Sequence, residues 1–562
     1  MINYIKRYSD ILIYILIFFL FYKNLFIFGD FVRDDWSIKS LYDLTYFEAL
    51  KEIFGPFTNR PFAALFYSSL SRFSNEFIFF LIINFILIIA SSYLIISNIY
   101  FIKITNNLKK LYIFLTLFPL FSYTIILSSG MQIIGSLSVF LWSISFYFYN
   151  KFLINNKFST LVISNLILLL MIMTYESALP LLSLNIMLLI FFKRDLLFKY
   201  LIVLFLTIFL GIILQKIVIS NIFPDISRLR INELNLNNSM YYFFGNIALI
   251  INNFFILFQH FSPNLKDLFL NKVLLFEYIL LIGLLSILIF NGSFVKNNKT
   301  INKNLFFLFS MASLFLCLFF IILIHTLALS GSSIYGYNNR ALVSLSFILP
   351  FIIIIFGLIL RPIHFKILVF IYTIILFTNF IVVLNKNVEY VKNRNSNVDN
   401  IIYNFKKDKN NVSYLLFIDH YGVDDQIYNR VTFVNDNFDY RHLLEYKSKG
   451  NLVGTSINAN KFCNKHYWDV YFSPYIDGWF NINKNIYLID SKEENAEFIL
   501  FINLNEMWRH LDKRFECEKK LNDNMKINKK LNKISNKNFI NDSLFLTFVV
   551  NFYNKFILRY FN

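Results

Sequence analysis

Residues 76–102 read EFIFFLIINFILIIASSYLIISNIYFI and form an almost uninterrupted apolar run. Its one charged residue, Glu76, stands at its first position. The remainder is long enough to cross the apolar core of a bilayer as a helix, which takes about 20 residues. The stretch therefore predicts a membrane-spanning helix.

The composition of the whole chain agrees with a membrane location. Of 562 residues, 57% are hydrophobic and 16% are charged, whereas soluble domains contain about 45–50% apolar and about 25% charged residues. The low counts of glycine (15), proline (9) and cysteine (3) exclude a collagen-like chain and a disulfide-rich scaffold. The net charge of +18 does not indicate nucleic-acid binding, because the basic residues lie in short connections and not on one clustered face.

Further apolar runs resemble residues 76–102. They lie near residues 10–28, 111–128, 131–149, 159–178, 179–193, 200–222, 273–291, 304–329, 342–360 and 367–385. Together these runs predict a polytopic α-helical membrane protein of about 11 spans. Residues 241–262 contain asparagine, glutamine and histidine and are too polar to be counted with them.

Basic residues predict the orientation of these spans. If the N-terminus lies inside, as Lys6 and Arg7 indicate, every inner connection is basic, as the positive-inside rule requires. A single crossing by residues 241–262 would move the basic connections near 296–303 and 361–366 to the outside. We therefore predict that residues 241–262 are re-entrant, interfacial or a double dip; a twelfth span is the alternative. The first span is expected to be a retained signal anchor, because no small-residue cleavage site follows it.

The composition changes near residue 386 to asparagine, lysine and aspartate. Short runs with the apolar, β-branched character of buried strands follow, and DYRHLLEYKSKG (439–450) predicts an intervening helix. The strand candidates are VSYLLFID (412–419), RVTFVN (430–435), NIYLID (485–490) and EFILFINL (497–504). This region is expected to form a small α/β domain outside the membrane.

The predicted organisation has three parts. Residues 1–385 form the membrane domain, residues 386–511 the small extracytoplasmic α/β domain, and residues 512–562 a Lys/Asn-rich linker with an interfacial amphipathic helix. Outside the membrane a disulfide between Cys463 and Cys517 is permitted, and the sequence leaves their pairing open.

Two adjacent carboxylates, Asp34 and Asp35, follow the first predicted span within FGDFVRDDWSIKSLYD (28–43). Consecutive side chains on a regular element cannot both enter one pocket, so we expect one to face a substrate and the other to support it or bind a cation. A carboxylate in a partly desolvated cleft has a raised pKa, which suits a general base. The alternative is that these acids only solvate a loop. Apolar and aromatic residues between 38 and 53 then recur at helical spacing, which predicts an interfacial helix.

Two arginines are candidates for binding a phosphate at the outer membrane surface. Arg60 lies in Asn59-Arg60-Pro61, directly before an apolar run, and its planar fork suits bidentate binding of a lipid-linked phosphate. Arg340, in SIYGYNNR (333–340), supplies a second cation on the same face. The alternative for both is snorkelling to lipid headgroups.

Tyr175 and Glu176 stand at the outer end of the fifth predicted span, in TYESAL (174–179). Glu176 is the only acid between Glu76 and Asp195, and an ionisable residue at membrane depth is by default a functional-site hypothesis. A solvated turn is the alternative. The histidines show no metal-ligand spacing, and the chain has no phosphate-binding P-loop and no GxSxG motif.

The acid pair DDW (34–36) after the first span, the NRP element (59–61) and TYESAL (174–179), in this order, resemble the GT-C membrane glycosyltransferases. The similarity is greatest to the O-antigen glucosyltransferase branch, and it covers about residues 8–385. Asn59 stands where that branch usually has glycine. The resemblance implies transfer of a sugar, with inversion, from a polyprenyl-phosphate donor to a glycan acceptor outside the bacterial cytoplasmic membrane.

The resemblance also implies roles for single residues. Asp34 or Asp35 would deprotonate the acceptor hydroxyl, Arg60 and Arg340 would hold the leaving lipid phosphate, and Glu176 would orient hydroxyl groups of the donor or acceptor. No cofactor is identified, and a divalent cation is left open. A lipid-linked glycan transporter or flippase, an O-antigen polymerase or ligase, and a non-catalytic scaffold are the rival hypotheses.

Overall fold

An apolar run inside a bilayer must satisfy its own backbone hydrogen bonds, so such runs fold as helices. The computed structural model describes residues 2–31, 38–39, 41–54, 60–99, 104–127, 129–214, 242–248, 250–251, 261, 264–291, 302–327, 342–404, 413–419, 443–444, 446–449, 452–458, 486–490, 499–501 and 509. The chain divides into two units. One comprises Met1–Asp30 and Ile38–Asn385, and the other comprises Phe31–Ser37 and Lys386–Asn562.

Helices build the first unit. They are α1 (Ile2–Phe28), α2 (Tyr46–Phe54), α3 (Pro61–Leu70), α4 (Phe77–Ser97), α5 (Asn106–Thr116), α6 (Ser129–Asn155), α7 (Phe158–Ile172), α8 (Leu182–Phe192), α9 (Leu197–Ile213), α10 (Lys272–Asn291), α11 (Lys303–Leu327) and α12 (Val343–Ile359). Helix α13 (Pro362–Asn404) begins in this unit and continues into the second.

Among the described residues, six helical stretches are long and apolar enough to cross a membrane. They are Ile11–Phe28, Phe77–Ser97, Gln132–Asn155, Lys272–Phe290, Lys303–Thr326 and Pro362–Ser396. The prediction of a predominantly helical protein is confirmed, and these helices have the length and composition of membrane-embedded ones. Some other predicted spans coincide with apolar helices of 10–17 residues, such as Phe158–Ile172 and Val343–Ile359.

Helix α4 shows how these helices distribute their side chains. Its exposed face is apolar and consists of Ile78, Ile82, Ile86, Ile89 and Tyr93. Its buried face carries polar groups as well. Asn84 donates to the carbonyl of Ile125 at 2.7 Å, and the Ser92 hydroxyl is hydrogen-bonded to that of Thr116 at 2.6 Å. Apolar residues on the outside with small and polar ones between helices are typical of packing in a bilayer.

The apolar run 111–128 is not one helix, contrary to the prediction. Helix α5 ends at Thr116, Pro119 precedes a 3₁₀ turn over Leu120–Ser122, and a short helix occupies Thr124–Leu127. Proline lacks the backbone N–H that a continuous helix would need at this position.

Polar side chains of α1, α10, α13 and the helical residues 264–270 form pairs between these elements. We call these pairs the polar seam. Its members are polar although the surrounding helices are apolar, so each pair is bonded across a helix interface. The polar seam consists of the ion pair Lys23–Glu277 and the hydrogen-bonded pairs Asn24–Asn385 (2.8 Å), Tyr278–Thr378 (2.7 Å) and Asn264–Asn379 (2.7 Å).

The second unit contains a sheet of β1 (Ser413–Asp419), β2 (Leu452–Asn458), β3 (Ile486–Asp490) and β4 (Ile499–Phe501). The strand order is β2-β1-β3-β4. Strand β1 is parallel to both neighbours, with Ser413 opposite Leu452 and Tyr414 opposite Ile486, whereas β4 is antiparallel to β3. Strands β1, β3 and β4 fall within three of the predicted runs. Strand β2 was not predicted.

The structure describes only parts of two segments discussed above. In the predicted helix 439–450, residues 443–444 and 446–447 are helical. In the polar segment 241–262, residues 242–248, 250–251 and 261 are helical. The run 430–435, the cysteines Cys463 and Cys517, and residues 512–562 lie outside the described residues.

Candidate functional site

Local backbone chemistry fixes Arg60 at the start of α3. Pro61 occupies the first position of the helix, where its missing N–H costs no hydrogen bond. Proline also restricts the backbone of the residue before it, and Arg60 has φ −138° and ψ 61°. The carbonyl of Arg60 accepts the first helical hydrogen bond from the Ala64 N–H at 3.2 Å. The base of the arginine side chain is therefore held in place.

Tyr175 and Glu176 come from a second, rigid element. Tyr175 is extended, with φ −164° and ψ 124°, and Glu176 then begins a 3₁₀ helix that runs to Leu181. Helices α6, α11 and α12 pack against this 3₁₀ helix. The Ser344 hydroxyl of α12 donates to the carbonyl of Ser177 at 2.7 Å, which ties the segment to its neighbour.

The structure joins these two elements through the Arg60 side chain. Its Nη2 donates to Glu176 Oε1 at 2.6 Å, and its Nε donates to Glu176 Oε2 at 3.2 Å. The guanidinium carbon lies 4.5 Å from the centre of the Tyr175 ring. We call Arg60, Tyr175 and Glu176 the Arg60 cluster. Its geometry combines a two-pronged arginine–carboxylate pair with a cation–π contact.

The Arg60 cluster is partly open to its surroundings. The side chains of Arg60 and Glu176 are 29% and 40% exposed, whereas Tyr175 is buried. Ion pairs at this exposure contribute little to stability, because solvent screens the attraction. An oriented guanidinium that a ligand can approach is a binding group for phosphate or carboxylate oxygens.

His325 of α11 is a member of this neighbourhood that sequence reasoning missed. Its side chain is buried, and it interacts electrostatically with Glu176. The histidines of the chain have no metal-ligand spacing, but His325 interrupts an apolar helix. That interruption was the available signal, because ionisable residues inside such helices mark functional sites.

The structure therefore brings together three of the predicted site residues, Arg60, Tyr175 and Glu176. The predicted base residues Asp34 and Asp35 and the second arginine, Arg340, lie outside the described residues. Among the residues that the structure describes, no group of three or more His, Cys, Asp or Glu could hold a metal ion.

Comparison of the chain with protein families, with curated protein sequences and with solved structures finds no match.

Proposed function

We propose that the chain is a membrane glycosyltransferase that transfers a sugar, a hexose in the simplest case, from a polyprenyl-phosphate donor to a cell-surface glycan such as O-antigen. The Arg60 cluster carries the proposal. Two short motifs separated by 116 positions, NRP and TYE, meet with hydrogen-bonding geometry. Contact between the two motifs is expected if both contribute residues to one site. The contact also holds the Arg60 guanidinium at a partly exposed surface.

The proposal includes a topology. About 11 spans, an inside N-terminus and an α/β region outside the membrane follow from the positive-inside rule. In this topology Arg60 and Glu176 both lie on the outer face of the cytoplasmic membrane. A lipid-linked donor already carries an activated sugar, so a nucleotide site is not required.

The proposed reaction is a single displacement with inversion. Asp34 or Asp35 accepts the proton of the acceptor hydroxyl while its oxygen bonds to the anomeric carbon. The bond between that carbon and the phosphate oxygen breaks, and its electron pair leaves with the polyprenyl phosphate. Arg60 stabilises the charge that develops on the phosphate. Such stabilisation of transition-state charge by fixed groups is usually the largest single term in catalysis.

Within this proposal, Glu176 acquires a more specific role than the sequence implied. The resemblance to the GT-C enzymes implied that it orients hydroxyl groups of the substrates. Its two oxygens accept hydrogen bonds from Arg60, so it also sets the plane of the guanidinium. A leaving phosphate would then meet a fork that is already oriented, which lowers the entropic cost of binding it.

A deletion strain complemented with variants tests the proposal. Wild type should restore a discrete hexose-sized mass in the surface glycans, and the Asp34→Asn, Asp35→Asn double variant should not, at equal protein level. Asp43→Asn is the matched control, because it removes a carboxylate from the same predicted outer loop. Normal glycans in the deletion strain, or in the double variant, would contradict the assignment.

A transporter of lipid-linked glycans is the second candidate, and the ion pair Lys23–Glu277 favours it. Charged residues within apolar helices are expected on substrate or ion pathways of transporters. Both residues lie inside stretches long enough to cross a membrane. Transport predicts that the pair is required for function, whereas transfer at the Arg60 cluster does not.

A further inference from the structure

Ser344 lies in the first turn of α12, and its side chain is fully buried. Its hydroxyl donates to the backbone carbonyl of Ser177 at 2.7 Å, although the two residues stand 167 positions apart. Ser177 directly follows Glu176, the carboxylate that binds the Arg60 guanidinium. The hydrogen bond therefore reaches the backbone one residue away from the Arg60 cluster.

The sequence of the 3₁₀ helix explains why the Ser177 carbonyl needs a donor from another helix. In a 3₁₀ helix each carbonyl accepts a hydrogen bond from the N–H three positions later. For Ser177 that position is Pro180, which has no N–H. Ser177 is buried, and a buried carbonyl without a partner is costly. The Ser344 hydroxyl supplies the hydrogen bond that Pro180 cannot.

Helix α12 is itself fixed, so it can serve as a support. Most of its residues are buried. Tyr112 of α5 donates to the carbonyl of Phe347 at 3.2 Å, and the hydroxyls of Ser346 and Ser122 are hydrogen-bonded at 2.8 Å. These bonds attach α12 to elements other than the 3₁₀ helix. The bond from Ser344 therefore restrains Ser177 relative to the rest of the helices.

The 3₁₀ helix has few polar groups of its own with which to replace this bond. The hydroxyl of Ser177 has no hydrogen-bond partner among the described residues. The residues that follow, Ala178–Leu181, have apolar side chains. Apolar packing holds the segment between its neighbours, but it lacks the directional preference of a hydrogen bond.

We propose that Ser344 is a positioning residue, which holds the backbone at Ser177 so that Glu176 orients the Arg60 guanidinium for the leaving phosphate. The inference rests on the proposed function, in which Arg60 stabilises the charge on that phosphate. Ser344 does not touch substrate in this scheme. It acts on Glu176 through the backbone of Ser177.

Ser346 provides a matched control. It lies two positions later on the same helix, is also buried, and is hydrogen-bonded to another element through Ser122. Ser346→Ala therefore removes a buried serine bond of α12 and leaves the Ser344 contact in place. An effect that Ser344→Ala and Ser346→Ala share reports on the packing of α12 and not on the site.

A second change acts on the same carbonyl from within the 3₁₀ helix. Pro180→Ala introduces the N–H that this position lacks, so the 3₁₀ pattern can supply the donor to Ser177. The double variant Ser344→Ala, Pro180→Ala should therefore regain part of the activity that Ser344→Ala loses. If Ser344 contributed only through packing, shortening a second buried side chain would add to the loss.

The experiment uses the full-length protein in detergent or nanodiscs. It compares Ser344→Ala, Ser346→Ala and Glu176→Gln with two double variants, in which Ser344→Ala is combined with Pro180→Ala or with Glu176→Gln. The probes are radiolabelled undecaprenyl phosphate-linked glucose, galactose and mannose, with surface glycan from the deletion strain as acceptor. The measured quantities are kcat, KM for the donor, the thermal unfolding midpoint, and hydrogen exchange of the peptide that contains residues 176–182.

Ser344→Ala should accelerate hydrogen exchange of this peptide and lower kcat about 10-fold, the size expected when one buried hydrogen bond no longer favours the held arrangement. KM for the donor should change little, because Arg60 acts on charge that develops in the transition state. Ser346→Ala should match wild type in exchange and in kcat. In the Glu176→Gln background, Ser344→Ala should lower kcat no further, since both changes act on one guanidinium.

The opposite results overturn the inference in recognisable ways. Unchanged exchange in Ser344→Ala shows that Ser344 does not hold the 3₁₀ helix, and faster exchange with normal kcat shows that holding it does not position Arg60. A further loss of kcat in the Glu176→Gln background, or no recovery with Pro180→Ala, shows that the loss does not arise at the Ser177 carbonyl.

Failure of the proposed function is distinguishable from these results. If wild type transfers none of the three sugars, the proposed function fails, and the catalytic meaning of Ser344 fails with it. Hydrogen exchange of the peptide 176–182 does not depend on transfer, so it still shows whether Ser344 holds the 3₁₀ helix.

Discussion

Exchanging the charges of Arg60 and Glu176 separates an arginine that binds substrate from one that only stabilises the fold. The variants are Arg60→Gln, Glu176→Gln and the double exchange Arg60→Glu, Glu176→Arg. The exchange keeps an opposite-charge pair between α3 and the 3₁₀ helix that begins at Glu176, but it places the cation on the other element.

The structural cost of losing the pair can be worked from its geometry. Two unit charges about 4 Å apart attract by about 4 kcal/mol at an effective dielectric constant of about 20. Because Glu176 is 40% exposed, screening and side-chain entropy reduce this value, and exposed pairs contribute about 1 kcal/mol or less. Arg60→Gln should therefore leave most molecules folded, since domains have about 5–15 kcal/mol of stability.

The catalytic cost should be larger. Removing one preformed group that stabilises transition-state charge lowers kcat by about 100- to 1,000-fold, or about 2.7–4 kcal/mol. We expect Arg60→Gln to lose transfer to this extent while its thermal unfolding midpoint changes little. The charge exchange should restore the midpoint and not the transfer.

The assay pairs transfer from radiolabelled undecaprenyl phosphate sugars with thermal unfolding of the same purified samples. Lys51→Gln, on the exposed surface of α2, is the matched control for removal of a cation from the same predicted outer loop. Transfer that returns with the charge exchange, or a loss of transfer that only follows the loss of folded protein, would refute the role of Arg60 in phosphate binding.

Two more predictions concern stability and the second candidate function. The Glu48 carboxylate accepts hydrogen bonds from the N–H and hydroxyl of Thr45 at 2.8 Å, and these bonds hold the pKa of Glu48 below that of an ordinary glutamate. The pKa of Glu48 is lower in the folded protein than in the unfolded chain. This capping box therefore stabilises α2 at pH values above the unfolded pKa, and its contribution to stability disappears as the pH falls through the folded pKa. Proteolysis near α2 should accelerate over that pH range in wild type and be independent of pH in Glu48→Gln. The double variant Lys23→Leu, Glu277→Leu should retain sugar transfer, because replacing both members of this partly buried pair leaves no uncompensated charge. Loss of activity at normal folded level, measured by size-exclusion chromatography, would instead favour transport.

The long helices could be predicted because apolar length alone determines them, as residues 76–102 show. The interruptions of the helices could not be predicted in this way, because the total apolar character of residues 111–128 takes no account of the helix-breaking effect of Pro119. Strand β2 was not predicted for a related reason. Its sequence LVGTSIN contains Gly454 and polar residues, and its pairing with β1 decides its conformation more than its own propensity does.

The candidate site was predicted residue by residue but not as an arrangement. The topology predicted from the sequence placed Arg60 and Glu176 on the same face, and the family resemblance implied a separate task for each at the substrate. That the two bind one another depends on how α3 packs, and a single sequence holds no signal for it. His325 was visible in the sequence, but the metal-spacing test applied to it could not register a lone histidine.

The polar seam has a consequence for how the protein is made. The partner of Asn24 stands 361 positions later in the chain, and the partner of Lys23 stands 254 positions later. At about 5–20 residues per second, translation needs about 20–70 s to supply Asn385, the partner of Asn24. During that interval an amide and an ammonium group on α1 lack their final contacts, and a polar group without partners in lipid is costly. Helix α1 must therefore remain at the insertion machinery, in contact with a chaperone or near the headgroups until α13 has been synthesised. The final packing of α1 is then one of the last steps of assembly.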